Sequence, residues 1–98
     1  MLKLLGAFAV FVISVAGTLA DHLRLSREQV VALARAAGAA AGYDMSEFAE
    51  PEPKIGMVSQ HTYRWDVFFS PRIGARTQQR FWVYVDDATK KTTLMPHQ

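Results

Sequence analysis

No cysteine occurs anywhere in this 98-residue chain. Disulfides, thiolate-held metal and a thiol nucleophile are thereby excluded, and so is a lipid anchor on a cysteine. Histidine is scarce too. His22, His61 and His97 stand far apart, without the three- or four-residue spacing that sets two ligands on one element, so they read as surface side chains. Asp86 and Asp87 are adjacent, but a calcium site takes about six to eight oxygen ligands and no loop ladder supplies them. The pair reads as turn-forming. Ser26, Ser46, Ser59 and Ser70 lack the Gly-x-Ser-x-Gly elbow, and Ser59 beside His61 has no orienting acid. Glu47, Glu50 and Glu52 border a Pro-rich stretch and read as solvated carboxylates. A catalytic residue, a cofactor and a metal are therefore not expected. Charge of one sign is also lacking. The formal net charge is +2, which falls to +1 without Lys3, and this makes no electrostatic case for nucleic acid.

What is present begins with an apolar leader. After Met1-Leu2-Lys3, the residues from Leu4 to Ala20 carry no charge and end in small side chains around Thr18 and Ala20. A basic start, an apolar run and a small-residue junction predict a secretory signal over residues 1–20, cut before Asp21. The competing reading is an uncleaved anchor, because a charge-free stretch of 17 residues lies at the short limit of a membrane span, about 17–25. Either reading sends residues 21–98 across a membrane, to a periplasmic or secreted location. Those 78 residues suffice for one modest core held by packing alone.

Leu25-Ser26-Arg27-Glu28-Gln29-Val30 is a helix start. Ser26 caps, Gln29 closes a capping box, Leu25 and Val30 form a staple, and Glu28 suits the positive end of the dipole. Val30, Leu33, Ala34, Ala37 and Ala41 recur at helical spacing, so the helix is expected over Arg27 to Ala41, weakened at Gly38 and stopped at Gly42. Tyr43 to Phe48 fits either a short strand or a turn. Glu50-Pro51-Glu52-Pro53 is stiff and extended. A weak strand follows around Ile55, Met57 and Val58. Two strong ones run from Thr62 to Ser70 and from Phe81 to Asp86, with a short last strand from Thr92 to Met95. One helix before an antiparallel meander predicts an α+β layer, with the helix on one face of a three- to four-stranded sheet.

The two strong strands carry aromatics on both faces. Phe68, Trp82 and Tyr84 fall opposite the Tyr63/Trp65 and Phe81/Val83/Val85 sets. One helix covers one face, so aromatic surface is left for a partner unless the N-terminal segment or a second copy covers it. Arg72, Arg76 and Arg80 cluster between these strands, with Arg64 nearby, and guanidinium groups beside aromatics can grip an acidic partner. The plain alternative is a solvated hairpin loop. The candidate partner-binding residues are Arg64, Arg72, Arg76, Arg80, Trp65, Phe68, Trp82 and Tyr84.

Two phrases carry a family resemblance. The helix phrase is Leu25-Ser26-Arg27-Glu28-Gln29-Val30-Val31-Ala32-Leu33-Ala34, and the terminal one is Trp82-Val83-Tyr84-Val85-Asp86-Asp87-Ala88-Thr89-Lys90-Lys91 before Thr92-Thr93-Leu94. The chain resembles the PepSY domain over most of residues 23–96. Lys90 or Lys91 stands where that family's turn Gly belongs, and the Glu50–His61 stretch matches none of its pattern. The resemblance implies a PepSY/cystatin-like arrangement in an exported, non-enzymatic module that binds or inhibits peptidases. Trp65-Asp66-Val67 and the acidic end of Trp82–Asp87 are also similar to small periplasmic immunity proteins. That resemblance implies inhibition as well. The expected function is thus an exported binding module that inhibits or masks a protein partner, a peptidase or another envelope enzyme. The alternatives are a small-ligand or anionic-ligand binder with an aromatic-lined concavity between helix and sheet, and a membrane-tethered accessory subunit. A homodimer through an exposed sheet face is a further expectation.

Overall fold

A computed structural model describes residues 23–60 and 62–97. The leader, His22 and His61 lie outside the described residues, and so do the readings placed on them. The order is helix α1 (Arg27–Ala40), a 3-10 turn (Met45–Glu47), then strands β1 (Lys54–Ser59), β2 (Thr62–Phe69), β3 (Arg80–Asp86) and β4 (Thr92–His97). The strands form one antiparallel sheet in chain order. The α+β layer is as the periodicities predicted. No described helix is long and apolar enough to cross a membrane.

Local chemistry accounts for α1. Ser26 Oγ accepts from the Gln29 N–H at 3.1 Å, and Gln29 Oε1 accepts from the Ser26 N–H at 2.8 Å. This reciprocal box satisfies two donors that a helix start leaves open. Leu25 and Val30, the staple, are both buried. The helix ends one residue before the predicted limit, and Gly42 follows at φ +98°. The buried stripe is Val30, Ala34 and Gly38. Ala41, placed on that stripe by its spacing, is exposed. Gly38 has a packing reason: a Cβ there would stand 2.6 Å from Met45 Sδ and 3.1 Å from Phe81 Cζ. The glycine lets the helix lie close against the sheet.

Tyr43 to Phe48 resolves as a turn. The Asp44 carboxylate accepts from the Ser46 hydroxyl at 2.6 Å and its N–H at 3.1 Å, and these bonds hold its pKa below the usual carboxylate range. Pro51 and Pro53 are buried, while Glu50 and Glu52 point outward to pair with Arg35 and Arg27 of α1. The last strand runs past Met95 through Pro96 to His97. Proline is tolerated there because β4 is an edge strand, where a missing N–H breaks no ladder.

The core lies between α1 and one sheet face. Trp65, Val67, Phe69, Phe81, Val83 and Val85 point inward and meet Leu25, Val30, Ala34 and Phe48. Phe81 is its centre. It stacks with Phe69 at 5.0 Å and with Tyr43 at 4.1 Å, and Phe48 meets it edge-on at 5.1 Å.

One buried charge closes this layer. Asp87, 3% exposed, follows β3 in the turn to β4. Its carboxylate accepts from the Arg24 N–H at 2.7 Å, the Leu25 N–H at 3.0 Å and Trp65 Nε1 at 3.0 Å. Beside it, Asp86 Oδ1 accepts from the Ala88 and Thr89 N–H groups, both at 2.9 Å. These bonds hold the Asp86 pKa down. A depressed folded-state pKa means that the turn's support is present above the usual carboxylate range and is lost as pH falls through the lowered value. Lys90 completes the turn at φ +67°, a left-handed conformation rare for a residue with a side chain.

Removing the Asp87 carboxylate leaves three donors without their acceptor. Asp87→Ala is expected to lower stability by about 3 kcal/mol, and Asp87→Asn, which keeps one acceptor oxygen, by about half as much. Urea unfolding followed by Trp fluorescence measures both, and a loss under about 0.5 kcal/mol for the alanine variant would remove this group from its central place.

Candidate binding surface

Strand alternation sends every second side chain away from the helix. On that outward face, Phe68 of β2, Trp82 of β3 and Met95 of β4 lie side by side in register. One step along, Asp66, Tyr84 and Thr93 form the next row, and at the far end Arg80 stands opposite His97. Phe68 and Trp82 have ring centroids 4.6 Å apart, Trp82 and Tyr84 lie 6.3 Å apart and nearly parallel, and His97 meets Phe68 edge-on at 5.6 Å. The rings are half-buried by one another, and Met95 is 49% exposed. Arg64 is tied to Asp66 through two bonds of 2.7 and 3.3 Å, and its guanidinium stands 4.3 Å from the centre of the Tyr84 ring. The result is a platform of aromatic faces with a fixed ion pair at one end.

Of the eight candidate residues, this face holds Arg64, Phe68, Trp82, Tyr84 and Arg80. Trp65 is elsewhere. It is 5% exposed in the core, with its indole N–H on Asp87, so it has no surface for a partner. Its parity in β2 matches Val67 and Phe69, and the helix takes that side.

The loop between β2 and β3 divides the remaining arginines by role. Arg72 is structural: its N–H donates to Glu47 O at 2.9 Å, its Nε to Ser46 O at 2.8 Å, and a terminal nitrogen lies 3.6 Å from the Glu47 carboxylate. Glu47 also accepts from the Arg76 N–H at 3.3 Å. The Arg76 and Arg80 guanidinium groups are in no ion pair among the described residues. Between these anchors, Arg72-Ile73-Gly74-Ala75 closes through Ala75 N–H to Arg72 O at 3.0 Å, with Gly74 at φ +84°. That is the form of a type II turn, whose third residue must take positive φ. The Ile73 side chain is 100% exposed at its tip.

Glu47, expected as a solvated carboxylate, is instead largely covered and holds the loop, and Asp87, expected only to shape its turn, is buried with remote partners; Ile73 was not singled out from the sequence. Gly74 two places after Arg72 is the signal that would have found the turn. Glu47 and Asp87 have no local signal, since their partners are remote in the chain.

The space between helix and sheet holds the core, not an aromatic-lined concavity. Among the described residues, two hollows lie at the flanks of α1, and neither is lined by an aromatic ring. One, of about 460 Å³, runs between α1 and the Pro-rich stretch over Val31, Pro51 and Pro53. The other, of about 300 Å³, lies by Leu33, Ala36 and Lys90. No family model, curated protein or solved structure matches the chain.

If Glu47 braces the loop, Glu47→Ala will expose two arginyl bonds. Trypsin should then cut after Arg72 and Arg76 at least about tenfold faster than in the parent, because cleavage needs local opening. Mass spectrometry of the fragments reads the rates, and equal rates would show that the brace is unimportant.

Proposed function

We propose that this chain is an exported, non-catalytic binding module whose outward sheet face docks on a protein partner, masking or inhibiting it. The observation that carries the reading is the contiguous Phe68–Trp82–Met95 row with Tyr84 and Arg64 beside it. Aromatic residues, Met and Arg are the types enriched at protein interfaces, and Trp, Tyr and Arg dominate their energetic centres. Two rings already held against each other lose little side-chain freedom on binding, so more of the burial is retained as affinity.

Two further points favour the PepSY-like form of this reading. The helix phrase begins with a Leu25-Ser26 cap, as that family's pattern has it, and Ser26 does cap α1. Lys90, one of the two residues that can stand for the family's turn Gly, takes the left-handed conformation that a Gly would adopt freely. On this reading the partner is a peptidase or another envelope enzyme, and the leader is removed after Ala20. Intact mass of exported material reports the cleavage directly.

Trp82→Ala and Tyr84→Ala should each weaken partner binding by about 2 kcal/mol, roughly thirtyfold, with the circular dichroism unchanged. The partner is recovered from envelope extract on the immobilised protein, and its affinity for parent and variants is then compared by calorimetry. A captured protein that binds the double variant as tightly as the parent would rule out this face.

A further inference from the structure

We infer that the Arg72–Ala75 turn is a preformed wedge that seats Ile73 in an apolar pocket, rimmed by carboxylates, on a protein partner. The inference rests on the reading of the chain as a protein-binding module and adds a second point of contact, with its own chemistry.

Three observations combine. Ile73 is completely exposed, although a branched aliphatic side chain gains from being buried. The turn beneath it is held on both sides. Before it, Ser70 O accepts from the Ala49 N–H at 2.9 Å, Pro71 bridges to Phe48, and Arg72 bonds to Ser46 and Glu47. After it, the Arg76 N–H is on the Glu47 carboxylate. An exposed apolar tip on a loose loop would lose ordering entropy on docking, whereas this one is already ordered. The third observation is charge. Arg76, which follows the tip, is in no close ion pair among the described residues and acts only from a distance on the Asp44 carboxylate, and Arg80 at the start of β3 is in no ion pair among them. Two cations on the loop that carries the apolar point are complemented by a pocket with acidic edges.

The wedge adjoins the sheet face. The loop leaves β2 just after Phe68 and Phe69 and enters β3 at Arg80, which stands opposite His97 on the outward side. One partner can therefore cover the aromatic rows and receive the tip together.

The test places a photoreactive phenylalanine analogue at residue 73, at 95 on the sheet face, or at 57 on the far edge of β1 in the full chain. The cells are irradiated, and the cross-linked partner residues are mapped by mass spectrometry. Links from 73 and 95 to one partner, with the 73 link in an apolar pocket flanked by Asp or Glu, support both the wedge and the sheet-face reading. Links from 95 alone overturn the wedge and leave that reading standing. Links from 73 alone keep the wedge and remove the face. Links from neither, or from 57 as readily as from 73, overturn the wedge. With the purified pair, Ile73→Ala should weaken binding by about tenfold or more while Ile73→Leu preserves it. Arg76→Glu should slow association most at low salt. Unchanged affinity for Ile73→Asp would overturn the proposal, and because this side chain touches nothing in the free protein, the variant folds as the parent does.

Discussion

The Asp87 carboxylate is the contact on which the arrangement of helix and sheet depends. It gathers two backbone N–H groups from the chain just ahead of α1 and the indole N–H of Trp65 in β2. Three elements far apart in sequence are thereby held at one point: the run into the helix, a central strand and the β3–β4 turn. A buried carboxylate is costly unless its charge is met by donors, and here three donors converge on it. The capping box defines where the helix begins, while Asp87 defines where that beginning sits on the sheet. From there the stripe of Val30, Ala34 and Gly38 has a single face to lie against.

That placement decides which aromatics are left outside. β2 and β3 alternate bulky side chains on both sides, so strand pattern alone does not say which face becomes core. The face with Trp65 is chosen because its indole reaches Asp87 and its neighbours Val67, Phe69, Phe81, Val83 and Val85 give the helix an unbroken apolar bed. The opposite rows hold Arg64, Asp66 and Arg80, whose charges favour water. Phe68, Trp82 and Tyr84 go with them and limit their exposure by packing on one another.

Much of this was legible from local chemistry. The helix start was readable because Ser26 and Gln29 are three residues apart and satisfy each other, and the two central strands because their alternation is strict. The remainder depended on distant partners. Tyr43 to Phe48 became a turn through Asp44 and Ser46, and through Tyr43 and Phe48 packing on Phe81. Gly38 looked like a weakness until Met45 and Phe81 were seen pressed against it. Alternation set Trp65 on the face opposite Phe68, but that this face would be the covered one was not legible, because it is fixed by a carboxylate 22 positions later. The four arginines formed one cluster in sequence, but Asp66 and Glu47 engage two of them, and Arg76 and Arg80 remain without ion pairs among the described residues.

The sheet edges bear on how the proposed binding module would meet a partner. A bare edge invites a foreign strand. β4 carries Pro96, which removes one donor from its outer row, and β1 begins with Lys54 and breaks register between Met57 and Ser59. Met57 and Val58 are 66% and 61% exposed there, yet the irregularity interrupts any long ladder. Both edges are thus poor templates for strand addition. The broad outward face and the braced loop beside it have no such obstruction. For the proposed protein-binding role, this geometry favours recognition by side chains across a face, with one apolar tip at its margin, so that specificity would come from ring shape and charge placement rather than backbone pairing.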